Sequence, residues 1–388
     1  MLQKMKTKVF LDYASTTPIR PEVLDVMNDI YLSKFGNASS GHQMGREGSV
    51  EVNSAIQLCK ESIRCPDHNI VFTSGGTESN NLAIKGIVES RGSVDRPNIV
   101  VSAIEHDSVW RTAHKVCQDQ KVELRIANVN SFGLVDKGEM ARLVDENTIL
   151  VSVMHSNNEV GTIQPISGLV QEAKKKNPSV VFHSDIVQSI GEIEVDIGAL
   201  GVDMFTLTAH KFGGPSGIGV LGYRKSCSPT GQLSGGGQQF DLRSGTLPVP
   251  LIAGLANALQ LSTFEQNSLA RKLLTRKNRL LELLMREIPG IELNGVELPS
   301  LPNILSVRIA GVDSQDVAAM LGTRGYMVST GSACHSGKST PSRVLLALGL
   351  SEEDCRSTIR ISHGGETKWE ELVEFSDELV RVTNILRN

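Results

Sequence analysis

Through the first two-thirds of the chain, short apolar runs rich in β-branched residues alternate with amphipathic stretches. Ile70–Ser74, Ile99–Ile104, Ile149–Met154, Val180–Ser184 and Met204–Thr208 are nearly continuous in apolar character, the pattern of strands buried on both faces. Between them, Glu78–Ser90 and Asp107–Gln118 carry helical periodicity. Strands separated by helices predict a parallel sheet covered by helices. The glycine-rich stretches between Gly213 and Phe240 (GGPSGIG and LSGGGQQF) read as connections. After Pro250 the texture changes. A long helical segment runs to about Arg286 with Leu274, Leu280, Leu281 and Leu284 on one face; strand-like Asn303–Ile309 and Tyr326–Ser329 follow, then an amphipathic helix from Lys368. The expectation is an α/β protein with a large domain over 16–256, built on a mostly parallel central sheet. A smaller α+β domain, from 1–15 and 257–388, is expected to hinge on the long helix.

Composition narrows the function classes. Of 388 residues, 40% are hydrophobic and 21% charged, which is ample for a buried core and carries no disorder signature. Lys and Arg number 39 against 43 Asp and Glu, a net charge of −4, so the chain lacks the basic surplus of a nucleic-acid surface. No apolar run approaches the roughly 18 residues of a membrane span; the best, Val249–Leu261, is broken by Asn257 and Gln260. The opening MLQKMKTKVFLDY has no apolar core of a signal peptide. A soluble, cytoplasmic protein is expected, binding neither nucleic acid nor membrane. Its cysteines, Cys59, Cys65, Cys117, Cys227, Cys334 and Cys355, form no CxxC pair and are expected to be reduced thiols, mostly buried. His155, His183 and His210 fall near strand ends, but no Cys/His spacing fits a closed zinc site, so no resident metal is expected.

Three strand-end clusters carry candidate chemistry. In Phe72–Glu78 a strand ends, Gly75 and Gly76 turn, and a helix starts near Thr77: an anion cup at a helix N-terminus, or an ordinary capped turn. Asp185 falls just past a strand, where it would cap a helix or pair with a protonated ring nitrogen. Lys211 ends a polar cluster after the strand Met204–Thr208; it is either a solvated lysine or one that forms a Schiff base. A phosphate cup, an acid for a pyridinium nitrogen and a strand-end lysine are together the parts a pyridoxal 5'-phosphate enzyme needs.

The ordered motifs LDYASTTP (Leu11–Pro18), GNASSGH (Gly36–His42), FTSGGTESNNLAIKG (Phe72–Gly86), EHDSV (Glu105–Val109), MHSNNEVGTIQP (Met154–Pro165), AHKFGGPSGIG (Ala209–Gly219), RSGTLPVP (Arg243–Pro250), STGSACHSG (Ser329–Gly337) and IRIS (Ile359–Ser362) extend this reading. On them the chain resembles, nearly end to end, the class V branch of fold-type I pyridoxal phosphate enzymes, and within it the cysteine desulfurases of the NifS/IscS type. The resemblance implies that Lys211 holds the cofactor as a Schiff base and Asp185 pairs with its ring nitrogen. Gln188 and Asn158 would serve the phenolic oxygen side, with Asn158 also near the substrate. His106 would stack on the ring and shuttle protons, and Gly76, Thr77, Thr208 and His210 would bind the phosphate. Thr246 would complete that cup on a neighbouring subunit, implying a homodimer. Arg360 would bind the substrate carboxylate, where a bidentate guanidinium suits the geometry.

Cys334, in a loop of small residues, is the implied nucleophile: its thiolate would attack the sulfur of L-cysteine, leaving alanine and a persulfide for a sulfur-acceptor protein, in iron–sulfur cluster or thio-cofactor supply. As a transient ligand it could also touch such a cluster. An unperturbed thiol is only about 3% ionised at neutral pH, so an acceptor is needed; His106 and the substrate amine are the two candidates. Ala38 and His363 depart from the usual family text without touching the predicted chemistry. His335, beside Cys334, is similar to selenocysteine lyases, while the spacing from Cys334 to Pro341 fits the desulfurase loop. Three classes stay open at this level: desulfurase, selenocysteine lyase acting on L-selenocysteine, and a non-catalytic sulfur-transfer scaffold.

Overall fold

The computed structural model describes residues 8–91, 94–295, 299–330 and 340–388. Its centre is a seven-stranded sheet in the spatial order His68–Thr73, Gly219–Arg224, Met204–Thr208, Val181–Asp185, Thr148–Ser152, Asn98–Ser102, Glu123–Ala127. Only Gly219–Arg224 runs against its neighbours, so the other six strands end at one edge. Four interior strands are buried at every position, which is why their sequences are apolar runs rather than alternations. Successive side chains still point to opposite faces. Val100, Val151, Phe182 and Phe205 join the hydrophobic cluster on one side, and Val101, Leu150, Val181 and Met204 the cluster on the other.

The strand and helix expectations hold within a few residues, with two differences of substance. Asp185 is the last residue of its strand rather than a residue beyond it. The glycine-rich region read as connections contains the buried strand Gly219–Arg224. Its signal was hidden because Gly222 supplies no side chain of its own: it pairs with Phe205, whose ring occupies the space a Cβ would take. The edge strand Glu123–Ala127, mostly half-exposed, was also missed, since its pattern is mixed.

The helix Val249–Glu287 has 39 residues and so spans about 58 Å. Val249, Ile252, Leu255 and Leu259 pack into the large cluster. Leu280, Leu281 and Leu284 pack instead with Leu305, Ile359 and Phe375. Leu273 is the buried residue of the turn where Leu274 was expected. That second core lies under a three-stranded antiparallel sheet, Thr358–Ser362, Ile304–Ile309 and Ile291–Leu293, with the helices Ser314–Thr323 and Trp369–Arg387. The expected strand Tyr326–Ser329 shortens to Tyr326–Met327, which pairs with Val9–Phe10. Among the described residues no helix is long and apolar enough to cross a membrane.

A Cβ on Gly222 would lie 2.1 Å from the Phe205 ring. Gly222→Ala is therefore expected to destabilise the fold by about 1–3 kcal/mol through overpacking, read as a lower denaturant midpoint. Adding Phe205→Leu should recover part of that loss; independent, additive losses would show that the ring contact is not the cause.

Candidate active site

The shared edge of the six strands opens onto a cavity of about 900 Å³, joined to one of about 360 Å³ through Gly76, Thr77, Thr208 and His210. The smaller cavity is formed where the strand His68–Thr73 gives way to the helix Gly76–Ser90. Gly75, at the turn, has φ +152°, a conformation open essentially to glycine alone, and the helix start carries no side-chain cap. Its first N–H groups are thus available to an anion. Opposite, Thr208 donates its hydroxyl to the Ile218 carbonyl, and His210 meets the Thr16 hydroxyl at 3.1 Å. Burial, with Lys211 adjacent, pulls the His210 imidazole down to about 4.

In the larger cavity, Lys211 Nζ donates to the carbonyls of Ala14 at 2.7 Å and Ser15 at 2.6 Å. Burial, reinforced by the positive charge of Arg360, lowers its ammonium to about 8. Asp185 is 5% exposed; one carboxylate oxygen accepts the Val187 N–H and the other the Asn80 side-chain amide. Gln188 donates to the Ala14 carbonyl. Arg360, from the strand Thr358–Ser362, donates to the Asn158 carbonyl at 2.8 Å and to the Asp12 carboxylate at 2.6 Å. Its Nε is buried with no partner among the described residues. His106 caps the helix Asp107–Gln120 through Nδ1 and lines the cavity.

The structure thus brings Lys211, Asp185, His106, Gly76, Thr77, Asn158, Gln188, Thr208, His210 and Arg360 to one cavity. Thr246 is exposed and is not among the described residues lining it. Cys334 and His335 lie outside the described residues, but Ser329 and Thr340, on either side of that segment, both line the cavity. The other five cysteines are buried and free. Burial pushes the thiols of Cys65 and Cys117 up to about 12 and those of Cys227 and Cys355 to about 11, so none is primed as a nucleophile.

Several cavity residues escaped the sequence reading. Glu105 is fully buried and raised to about 8, chiefly by burial, with one oxygen held by the Ser102 hydroxyl and the Met154 N–H. Glu159 is likewise raised to about 7 and accepts the Ser342 hydroxyl. Arg343 donates to the carbonyls of Ala103 and Glu105 and lies 4.2 Å from the centre of the Trp110 ring. Glu105 and Glu159 fall inside quoted motifs, and that neighbourhood was the only available signal; nothing in the local sequence marks Arg343.

Residues 9–375 match the family described as Aminotransferase class-V. The chain is 37% identical to "Cysteine desulfurase IscS" of Dictyoglomus turgidum, covering 99% of this chain and 96% of that one. It is 36% identical to the protein of the same name from Methanosarcina thermophila, over 98% and 93%. Among solved structures, a NifS-like protein superposes with a TM-score of 0.91 at 33% identity, covering 98% of this chain and all of that one. A NifS-like protein from Rickettsia africae gives 0.87 at 28% identity, over 97% and 99%. On these matches the chain belongs to the aminotransferase class-V family, among the cysteine desulfurases of the NifS/IscS type.

Proposed function

We propose that this protein is a pyridoxal 5'-phosphate-dependent cysteine desulfurase that converts L-cysteine to L-alanine and leaves the sulfur as a persulfide on Cys334. The observation that carries the reading is the meeting, in one cavity, of a buried acid, an amine of lowered basicity and a helix N-terminus without a side-chain cap. Those residues fit the cofactor. Gly76, Thr77, Thr208 and His210 would hold its phosphate, Asp185 its ring nitrogen, Gln188 and Asn158 the phenolic oxygen side, and Lys211 its aldehyde carbon. When bound, the cofactor supplies an electron sink conjugated to the substrate Cα.

The chain's own residues do the rest. Arg360 offers its guanidinium to the substrate carboxylate, with Asp12 and Asn158 holding the group in place. Lys211 Nζ, an amine of lowered basicity in the same cavity, would be placed to move the Cα proton. The Cys334 thiolate attacks the substrate sulfur: an S–S bond forms, the Cβ–S bond breaks, and its electron pair stays on the carbon, which takes a proton to become the alanine methyl. Overall, cysteine plus one thiol becomes alanine plus one persulfide. The other cysteines are buried and poorly ionised, which supports Cys334 as the nucleophile. The relatives' name, cysteine desulfurase, supports L-cysteine as the substrate.

Two further parts of the reading concern partners. Thr246, exposed and away from its own chain's cavity, supports a homodimer in which it completes the other subunit's phosphate cup. The persulfide requires a sulfur-acceptor protein, and its dependence on a free thiol fits a reducing, cytoplasmic compartment.

Alanine release from L-cysteine, with pyridoxal phosphate and a thiol reductant, tests the activity; no release would overturn it. Cofactor capture should follow the neutral Lys211 amine, which prevails only above its lowered value of about 8. At slightly alkaline pH about a quarter of the amine is neutral, against roughly one in a thousand for an unperturbed lysine. The uptake rate of cofactor-free protein, followed by its visible absorbance, should therefore rise to a plateau through about 8; a rise continuing toward the ordinary lysine range would contradict the buried amine. Cys334→Ser should keep the cofactor's colour and its spectral response to cysteine yet yield no persulfide by mass spectrometry. Arg360→Ala should raise KM roughly tenfold or more, the worth of a charged hydrogen-bonded contact, and an unchanged KM would mean the carboxylate binds elsewhere.

A further inference from the structure

Hydrogen-bond directions around His106 decide where its ring proton sits. Nδ1 accepts the backbone N–H of Ser108 at 3.1 Å. A backbone N–H only donates, so Nδ1 carries a lone pair and the proton of the neutral ring is on Nε2. A second contact agrees. The Ser108 hydroxyl lies 2.8 Å from Nδ1 and also accepts the Asn80 side-chain amide at 2.8 Å, which leaves its own proton for Nδ1. The Asn80 amide orientation is itself fixed, because the same Nδ2 donates to the Asp185 carboxylate at 2.8 Å. Turned over, its oxygen would face a carboxylate oxygen. The Asn80 Oδ1 is left buried with no partner among the described residues, the cost of directing both amide hydrogens at Asp185 and Ser108.

Every donor in this chain therefore has one direction: Asn80 to Asp185, Asn80 to Ser108, Ser108 to His106. Asn80, Ser108 and Asp185 are all buried, so water does not compete freely for these groups. We propose that Asn80 and Ser108 are positioning residues that hold His106 in its Nε2–H form, so that the imidazole presents a hydrogen-bond donor, not a base, to the cavity. Proton uptake at Nδ1 would break the helix cap, and Nε2 has no lone pair to offer. His106 is then not the acceptor of the nucleophile's proton, in contrast to one of the two candidates read from the sequence; its donor is available to the electron-rich atoms of an amino acid bound in the cavity that His106 lines. The same amide ties this donor to the acid expected at the cofactor's ring nitrogen. What the donor meets rests on the desulfurase reading; the proton's position does not.

The test separates the two. The full-length protein is labelled with nitrogen-15 in its nine histidine rings, loaded with pyridoxal phosphate, and studied by two-bond proton–nitrogen correlation at mildly alkaline pH; His106→Gln identifies the signal. The Nε2–H pattern is expected, and an Nδ1–H or imidazolium pattern would overturn the proposal whether or not cysteine is turned over. The second arm is a mutant cycle on kcat with cysteine. Ser108→Ala should lower kcat about fivefold, the loss of one hydrogen bond, in the presence of His106, and have almost no effect in His106→Gln. Ser108→Thr, which keeps the hydroxyl, should restore the rate. Equal losses in both backgrounds would show that Ser108 acts on the structure generally and not through His106.

Discussion

Two cations, Lys211 and Arg360, share one buried cavity and repel each other, and the segment Asp12–Thr17 is what lets them coexist. The Asp12 carboxylate pairs with Arg360, while the carbonyls of Ala14 and Ser15 take the Lys211 ammonium. The same segment is pinned on both sides. Tyr13 and Ala14 donate their N–H groups to Ser362, at the end of the strand that carries Arg360. Thr17 donates to the His210 carbonyl, beside Lys211. One extended stretch near the start of the chain thus joins the strand bearing the carboxylate-binding arginine to the turn bearing the lysine. Lys211 is held by neutral carbonyl dipoles rather than by a carboxylate, so burial can depress its basicity while its geometry stays fixed.

The acidic side of the cavity is organised differently. Asp185 is stabilised by donors, the Val187 N–H and the Asn80 amide, and Glu105 and Glu159 are raised by burial toward their neutral forms. Arg343 adds mechanical support: by bonding the carbonyls of Ala103 and Glu105 it ties the turn before His106 to the chain that follows residue 340. Ser108 touches the His106 imidazole, Asn80 reaches it through Ser108, and Arg343 holds the turn that precedes it.

Much was legible along the chain. Buried strands announced themselves as apolar runs because both of their faces are covered, and the long helix was visible from leucines near its far end. Gly219–Arg224 was not, since the side chain filling the space beside Gly222 belongs to Phe205, on another strand. The cavity residues found from sequence are those whose chemistry is local to a motif, such as Lys211 after a strand or Gly75–Thr77 at a helix start. Asn80 and Arg343 were passed over because their meaning depends on partners 28 to 240 residues away.

The sequence by itself determined the class of fold, the family and the chemical inventory of the site, because strand burial, turn geometry and motif order are properties of short, contiguous stretches. How Arg360 is neutralised and how far Lys211 is depressed were decided by the tertiary structure alone. Those are properties of hydrogen-bond direction, separation and burial, and they arise only when residues distant in the chain are brought within about 3 Å of one another.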